Sequence, residues 1–442
     1  MRRALTCLAA GLALMGVDAA MGRADAQVRL NIEDGRREPL PTAVAPYIPS
    51  GVDPALAAEV TEIVRADLER SGLFDVIDEA AYIQDVSSFN LSPRFPDWRA
   101  IGARVLVVGE VVPEPGNERQ FRVKTHVYDV ASAKKLRSGA VRASRAEPRR
   151  GAHKTADFVY SQLTGEEGYF DTQVAFVAET GPKDDRTKRL MLMDQDGANP
   201  VTLTDGLPYD ALTPRFSPTQ QQLIYLALFE NRPAQVYMLD IEDGAQEALG
   251  DFDGMTFAPR FTPDGEAVLM AIERGGNSDV ARMDLSSRRV RVLTDSPAID
   301  TSPSASPDGR SITFASDRGG SQQIYVMDAD GSNQRRITFG DGTYGTPVWS
   351  PRGDLIAFTR QYKSRFYIGV VRPDGTGERL LTEAYLDEGP TWSPNGRVLM
   401  FHREERPGGP VQLYSVDLTG RNLRRVETPT EASDPAWSPV LN

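Results

Sequence analysis

Reactive side chains are scarce in this 442-residue sequence. It has one cysteine, Cys7, and three histidines, His126, His153 and His402. One cysteine cannot form an intramolecular disulfide, and no two of the histidines have the spacing of a metal-binding pair. Neither a Gly-x-Ser-x-Gly elbow nor a phosphate-binding Walker loop is present. The sequence therefore predicts a protein that is not an enzyme and that needs no metal and no cofactor, with His153 in a structural role.

Long basic and long hydrophobic runs are also missing. The net charge is −12, which makes nucleic acid an unfavourable partner. The apolar stretch at residues 4–17 is shorter than the roughly 20 residues that span a bilayer. It follows Arg2 and Arg3 and precedes a small-x-small site, so we expect a signal peptide cleaved between Ala26 and Gln27. The mature chain is then expected to have no membrane span.

The most informative feature present is a phrase of the form Pro-x-aromatic-Ser-Pro-Asp-Gly, which occurs six times with some variation. Its second prolines fall at positions 218, 263, 307, 351, 394 and 439, a period of 43 to 45 residues. Each period also contains three short runs with the alternation of half-buried strands. Four strands in a period of this length predict one blade of a β-propeller. One aromatic side chain per blade at a fixed register is expected to be core, namely Phe216, Phe261, Trp349, Trp392 and Trp437.

The repeated phrases and the sets of outer strands are offset from each other along the chain. The first outer set, near residues 174–204, has no phrase before it, and the last phrase, at Pro435, has no outer strands after it. If the last phrase supplies the inner strand for the first outer set, the ring closes and no strand edge remains exposed. Asp-x-Asp-Gly sequences at 194–197 and 328–331 lack the later ligands of a calcium loop, so we interpret them as hairpin turns.

A small α/β domain is predicted between the leader and the ring. Asp53 and Pro54 are typical of a helix start, and apolar residues continue at helical spacing to Leu68. Strands are predicted at 28–32, 74–77, 103–109 and 121–129, and a second helix at 151–163. The predicted division of the chain is a signal peptide at 1–26, an α/β domain at 27–165, and a six-bladed β-propeller at 166–442 closed by a strand at 435–439.

Two segments resemble the TolB family, the periplasmic component of the Tol-Pal system. One runs from Ala152 to Asp157 and the other from Leu163 to Thr172, and the predicted mature start at 28–35 is similar too. The departures are small: Gln173 stands where arginine is usual, and one blade lacks its Asp-Gly. The repeat pattern and this resemblance lead to the same expected fold class, which is mainly β: a six-bladed β-propeller preceded by a small α/β domain.

The resemblance implies a non-enzymatic periplasmic adaptor that links the inner-membrane protein TolA to the outer-membrane lipoprotein Pal, in a complex with TolQ and TolR. That role supports outer-membrane integrity and invagination during cell division. It also implies that Pal binds the face where the chain enters the inner strands. The residues predicted for this Pal-binding face are Met255, Ala258, Thr301, Asp210, Asp300, Tyr344 and Glu388. The predicted TolA-binding segment is 27–35, with Val28, Arg29, Leu30, Asn31 and Ile32.

Two other functions remain open from the residues alone. A periplasmic propeller hydrolase or lyase would need clustered His, Asp or Arg at the mouth of the channel. A glycan-binding propeller would bind carbohydrate without Pal. Turnover and direct glycan affinity, respectively, distinguish these alternatives from an adaptor.

Overall fold

The structure, a computed structural model, describes residues 38–90, 92–250, 252 and 254–440. The predicted signal peptide, its cleavage site at Ala26 and Gln27, and the predicted strand at 28–32 lie outside the described residues. Within the described part, each helix is too short or too polar to cross a membrane.

The N-terminal domain is one mixed sheet with helices against it. Its elements are β1 (Leu40–Val44), β2 (Ile48–Pro49), α1 (Pro54–Arg70), β3 (Phe74–Val76), a 3-10 helix (Glu79–Ala81), α2 (Phe95–Ala100), β4 (Val105–Glu114), β5 (Asn117–Asp129), β6 (Lys134–Ser144) and α3 (Pro148–Thr164). The sheet order is β3-β1-β4-β5-β6, with β2 beside β4. Helix α1 begins where predicted, because the Asp53 carboxylate accepts a hydrogen bond from the Ala55 N–H at 2.9 Å.

Strands β1 and β6 were missed by the sequence pattern. β1 contains a proline and small residues, and it becomes a strand because it lies between β3 and β4, paired in parallel with both. β6 is rich in lysine and arginine and largely exposed, so it shows little apolar alternation. It is held by a long antiparallel pairing with β5. Both strands depend on partners that are distant in sequence, which local propensity cannot reveal.

Helices α1 and α3 pack side by side on one face of this sheet. Val60 and Leu68 of α1 and Val159 of α3 are fully buried with Val105 and Val107 of the central strand β4. The same cluster continues into the propeller through residues of its closing blade. The two domains therefore share one hydrophobic core at their junction.

The remaining strands form the propeller. In chain order they are β7 (Gln173–Thr180), β8 (Thr187–Asp194), β9 (Val201–Thr202), β10 (Asp210–Phe216), β11 (Gln222–Leu228), β12 (Gln235–Asp240), β13 (Gln246–Ala248), β14 (Met255–Phe261), β15 (Ala267–Arg274), β16 (Asn277–Asp284), β17 (Val290–Val292), β18 (Asp300–Ala305), β19 (Ser311–Ser316), β20 (Gln323–Asp328), β21 (Arg335–Arg336), β22 (Thr343–Trp349), β23 (Ile356–Tyr362), β24 (Arg365–Val371), β25 (Arg379–Leu380), β26 (Leu386–Trp392), β27 (Val398–Glu404), β28 (Gln412–Asp417), β29 (Arg424–Val426) and β30 (Glu431–Trp437).

These strands form six four-stranded sheets. Blade 1 is β10 to β13, blade 2 β14 to β17, blade 3 β18 to β21, blade 4 β22 to β25 and blade 5 β26 to β29. The closing blade has the order β30-β7-β8-β9. The first strand of each blade contacts the first strand of the next, and β30 contacts both β26 and β10, so the inner strands form a closed ring. The predicted fold class, a six-bladed propeller preceded by a small α/β domain, is confirmed.

The closing blade joins the two ends of the propeller. β30 runs antiparallel to β7, with Trp437 opposite Val174 and Ala432 opposite Ala178. The Ser438 N–H donates to the Gln173 carbonyl at 2.8 Å, and the indole Nε1 of Trp437 donates to Thr172 Oγ1 at 2.9 Å. The inner strand of this blade thus begins at Glu431, ahead of the predicted 435, and ends at Trp437.

Candidate partner-binding face and domain junction

Every inner strand carries the same irregularity just before its proline. The residue at that position has a left-handed φ between 46° and 65° in all six blades: Thr213, Ala258, Ser302, Thr346, Gly389 and Asp434. The strand pairing shifts register there, as in a β-bulge, for example between Leu212 and Arg215. A β-bulge changes the direction in which the neighbouring side chains point. The short segment ahead of each bulge therefore opens onto one end of the ring, which we call the entry face.

The predicted Pal-binding residues all lie on inner strands at or near this entry face, but their exposure differs. Met255 is 40% exposed, whereas Asp300 and Tyr344 are fully buried. Glu388, Ala258, Thr301 and Asp210 are half-buried. The Tyr344 hydroxyl donates to Glu378 at 2.8 Å, so its ring supports the face from below.

Three exposed apolar residues on the entry face were missed by the sequence analysis. Phe339 is 73% exposed, Ile299 48% and Leu228 44%. Leu228 pairs with Asp210 at the start of β10, Ile299 directly precedes β18, and Phe339 lies in the loop before β22. The three residues belong to blades 1, 3 and 4 and lie at the same end of the ring. Only the folded ring reveals this group, because in the sequence these residues resemble ordinary core positions.

Buried ion pairs fix the loops of the entry face. Arg318 Nη2 lies 2.6 Å from the Asp300 carboxylate, and burial raises the pKa of Asp300 above its usual range. In blade 5 the Arg403 guanidinium binds both oxygens of Asp387 at 2.7 Å each. Bidentate pairs of this kind hold their side chains in a single geometry. The bidentate pair therefore fixes the entry face at blade 5, and a single ion pair holds it at blade 3.

The second region of interest is the junction between the N-terminal domain and the propeller. The Asp67 carboxylate of α1 is fully buried and accepts hydrogen bonds from three directions. His153 Nδ1 of α3 lies 2.6 Å away, Arg70 Nη1 2.7 Å, and Gln195 Nε2 of the closing blade 3.0 Å. This carboxylate connects both long helices to the propeller.

Two further carboxylates lie close to the His153 ring. Its Nε2 is buried and has no hydrogen-bond partner in the described structure. The ligand atoms of His153, Asp194 and Asp196 lie within 4.8 Å of one another, a donor set that could hold a divalent cation. Arg149, however, already pairs with Asp194 at 3.2 Å and with Asp196 at 2.5 Å. The carboxylates of Asp67 and Asp196 raise the pKa of His153, so the cluster favours the protonated imidazole.

The first Asp-x-Asp-Gly sequence is thus a hairpin turn that also contributes to the junction. Gly197 donates its N–H to the Asp194 carbonyl at 2.9 Å, and Gly331 closes the second such turn onto Asp328 at the same distance. The sequence pattern indicates the turns but not the proximity of Asp194 and Asp196 to His153. No local signal could have done so, because the two sites are about forty residues apart and meet only in the fold.

Two more contacts hold the linker between the domains. Glu166 pairs with Arg352 at 3.1 Å and with Arg397, whose Nε lies 2.7 Å from it. Asp157 accepts hydrogen bonds from the backbone N–H groups of Phe170 and Asp171 at 2.8 and 3.1 Å. A Cβ at Gly168 would lie 2.0 Å from the Asp157 carboxylate, so only glycine fits there. Burial raises the pKa of Asp157 to about 6.

The junction is expected to be more stable in mild acid than in mild base. Burial by itself lowers the pKa of His153, but the charge and hydrogen bond of Asp67, together with the charge of Asp196, outweigh it and the net pKa is raised. The stabilisation from His153 is therefore complete below its unfolded pKa, near 6.5, and is lost as pH rises through the higher folded pKa. The pKa of Asp157 is raised from 3.8 to about 6. Its contribution to stability therefore also falls as pH rises, but over a lower pH range, because the folded protein binds this proton more readily than the unfolded chain.

Thermal unfolding from pH 5 to pH 9 measures this effect. We expect the melting temperature to fall as pH rises above 6.5, and we expect His153→Gln to remove that fall while leaving the dependence below pH 6. The matched control is His402→Gln, which changes a histidine far from the junction and should keep the wild-type profile. An unchanged profile in the His153 variant would contradict the assignment.

The hairpin turns of blades 4 and 5 hold the linker at Glu166 through Arg352 and Arg397, and the entry face lies at the other end of the ring. This arrangement defines a two-domain protein, a six-bladed propeller preceded by a small α/β domain. The TolB amino-terminal domain family matches residues 28–136, and the TolB beta propeller domain family matches residues 160–441. The chain belongs to the TolB family.

Individual relatives agree with this assignment. The Tol-Pal system protein TolB of Paramagnetospirillum magneticum is 54% identical over 434 residues, which cover 97% of this chain and 96% of that protein. The crystal structure of TolB from Acinetobacter baumannii superposes with a TM-score of 0.78 at 28% identity, covering 93% of this chain and 100% of that one. The protein is thus a TolB-family component of the Tol-Pal system.

Proposed function

We propose that this protein is a non-enzymatic periplasmic adaptor that links the inner-membrane protein TolA to the outer-membrane lipoprotein Pal, alongside TolQ and TolR. In this role it supports outer-membrane integrity and invagination during cell division. The single observation that supports it most directly is the entry face, where exposed Leu228, Met255, Ile299 and Phe339 surround a rigid ring. Membership of the TolB family indicates that such a face would act within the Tol-Pal system.

Pal binding is assigned to the entry face on physical grounds. Interface energy concentrates in a few apolar or aromatic side chains that a partner can cover completely. Phe339 and Met255 provide such side chains, and Arg336 lies 5.0 Å from the centre of the Phe339 ring and restrains it. The ion-paired loops beneath them need little ordering on binding, which favours affinity.

The test is capture of Pal by single variants of this face. Met255→Arg and Thr301→Arg place a long charged side chain in the contact and should each weaken binding about tenfold or more, or roughly 1.4 kcal/mol. The control is Val290→Arg on β17, since Val290 is 38% exposed but lies on an outer strand near the opposite end. Wild-type capture by both entry-face variants would place the Pal site elsewhere.

TolA binding is assigned to residues 27–35, with Val28, Arg29, Leu30, Asn31 and Ile32 at its centre. Alternating apolar residues suit addition of a strand to a partner's sheet, in which backbone hydrogen bonds supply affinity. In the described sheet, β3 and β6 each pair on one side only. Both edges of this sheet are unpaired among the described residues, and the segment itself lies outside them.

Deletion of residues 27–34 is expected to abolish TolA binding and to leave Pal capture and the melting temperature of the propeller unchanged. Calorimetry with purified TolA and Pal measures both affinities on the same preparation. A variant with Leu30→Ser and Ile32→Ser keeps the length of the segment and should weaken TolA binding as well. Retained TolA binding by the folded deletion variant would contradict the assignment.

The enzyme alternative requires groups that are free to transfer a proton. Near the mouth, Asp387 and Asp300 are buried in ion pairs, and His402 Nε2 lies 4.0 Å from Glu388. The His402 and Glu388 pair is the arrangement there that most resembles an acid and base couple. Turnover of glycosidic or ester substrates that is lost in His402→Gln would favour the hydrolase or lyase. Glycan affinity in the absence of Pal would favour the carbohydrate-binding ring.

A further inference from the structure

Two arginines follow the first proline of the repeated phrase, Arg215 in blade 1 and Arg260 in blade 2. The inner strands β10 and β14 that carry them pair on one side only, so their other edge faces the centre of the ring. The residue at the same position of blade 3 is Ser304, whose hydroxyl accepts a hydrogen bond from the Trp349 N–H at 3.1 Å. Trp349 belongs to the inner strand of the next blade. This position therefore lies between two neighbouring inner strands.

The strand hydrogen bonds show that these contacts lie at the centre of the ring. Ser350 donates its N–H to the Leu355 carbonyl at 2.9 Å, on the side of β22 that pairs with β23. Successive N–H groups of a strand point to opposite sides, so the Trp349 N–H points to the unpaired edge. Blade 5 repeats the arrangement, since Thr391 Oγ1 accepts from the Trp437 N–H of the closing blade at 3.2 Å. A side chain after the first proline thus reaches the backbone of the next blade at the centre.

Blades 1 and 2 have arginine at this position instead of a hydroxyl. Thr262 and Ser306 donate outward as Ser350 does, so the N–H groups of Phe261 and Ala305 point to the centre. By the same register, the arginines of blades 1 and 2 lie beside these two N–H groups. A guanidinium carries donors only and cannot accept a hydrogen bond. Donors therefore meet donors here, and among the described residues no side chain accepts from these two N–H groups.

The two guanidinium groups have few partners. Arg215 Nη1 donates to the Pro214 carbonyl at 2.6 Å, and the negative charge that acts on it is that of Asp434. None of the described residues forms a hydrogen bond or an ion pair with the Arg260 side chain. Burial lowers the pKa of both guanidinium groups, and repulsion from Arg215 lowers the pKa of Arg260 further. Arginine stays charged even so, which leaves a half-buried cation at Arg260 without a counter-charge.

A cation that is held inside a protein without a counter-charge is destabilising, so this arrangement favours a bound anion. The planar guanidinium can bind two oxygens of a carboxylate or a phosphate side by side. Backbone N–H groups that point into one space also bind oxyanions. Arg215 and Arg260 are only half-buried, so the centre of the ring is accessible to a solute. The donors at this place are therefore suited to an oxyanion.

We propose that a small oxyanion binds at the centre of the ring, held by the guanidinium groups of Arg215 and Arg260 and by the backbone N–H groups beside them. Inorganic phosphate and a carboxylate share this chemistry, and the experiment separates the two. The bound anion supplies the acceptor that Ser304 and Thr391 supply in blades 3 and 5. It joins the inner strands of blades 1 to 3. The site is independent of the assignment of Pal to the entry face.

The test is isothermal titration calorimetry of the full mature chain with inorganic phosphate and with acetate, in chloride buffer at constant ionic strength. We expect one site per chain, with phosphate bound more tightly than acetate because it offers more oxygens to the donors around it. Tighter binding of acetate would support the site and identify a carboxylate as its ligand. Arg260→Met should weaken binding about tenfold or more. Because this variant removes a cation that has no partner, its melting temperature in chloride buffer should equal or exceed that of the wild type.

Arg260→Lys keeps the charge but loses the planar fork, so its affinity should be intermediate, and it replaces Arg260→Met if that variant does not fold. The matched control is Arg379→Met, at an exposed arginine of the outer strand β25, which should bind like the wild type. Absence of phosphate and acetate binding to the wild type would overturn the proposal. So would equal binding by the wild type and a folded Arg260 variant. A lower melting temperature of Arg260→Met in chloride buffer would also overturn it, since the protein itself would then supply a partner for Arg260.

Discussion

Removing residues 434–442 is expected to unfold the whole propeller rather than one blade. β30 is the inner strand of the closing blade and contacts the inner strands of blades 1 and 5. Without most of it, β7 becomes an exposed edge and the ring opens, which exposes core on both sides of the break. The buried Trp437 also leaves its edge-to-face contact with Tyr169 at 5.7 Å, so the shared core at the domain junction loses a large side chain.

The single change Trp437→Ala gives a quantitative form of this prediction. Truncating a large buried aromatic side chain costs about 3–5 kcal/mol, against a total stability of roughly 5–15 kcal/mol. Urea unfolding followed by circular dichroism measures the difference. Removal of residues 440–442 is the control, because Val440 is 41% exposed and should contribute little. If the protein lacking 434–442 melted like the full chain, closure by the C-terminal strand would be wrong.

Asp67→Ala is expected to destabilise the domain junction by about 3–5 kcal/mol, the usual result of removing one partner from a buried charge cluster. His153, Arg70 and Gln195 would lose the carboxylate they share, and the two cations would be left with less compensation in a buried site. The cost should appear as earlier unfolding of the N-terminal domain and as faster proteolysis of the linker near Glu166.

The matched control for this prediction is Glu69→Ala, two residues away on the same helix. Glu69 pairs with Arg424 of the propeller at 3.8 Å, but both side chains are largely exposed. Exposed pairs of this kind contribute at most about 1 kcal/mol. Similar losses in both variants would show that the buried cluster at Asp67 has no special role at the junction.

Local sequence signals predicted the elements that depend on short-range chemistry. The repeated phrase placed six inner strands, because each blade needs the same turn and the same core position. Its offset from the outer strands pointed to the pairing of Trp437 with Val174. Asp53 and Pro54 located the start of α1, since capping involves only neighbouring residues.

The sequence did not indicate β1 and β6, nor the meeting of Asp67, His153 and Asp194. These depend on contacts between residues far apart in the chain, whose partners are chosen by the packing of whole elements. Closure of the ring likewise leaves Phe339 exposed and buries Tyr344 on the same face. The sequence by itself determined the number of blades and the type of each domain. The tertiary structure alone decided which side chains meet at the junction and which remain accessible to a partner, because both depend on surfaces that exist only after the blades close.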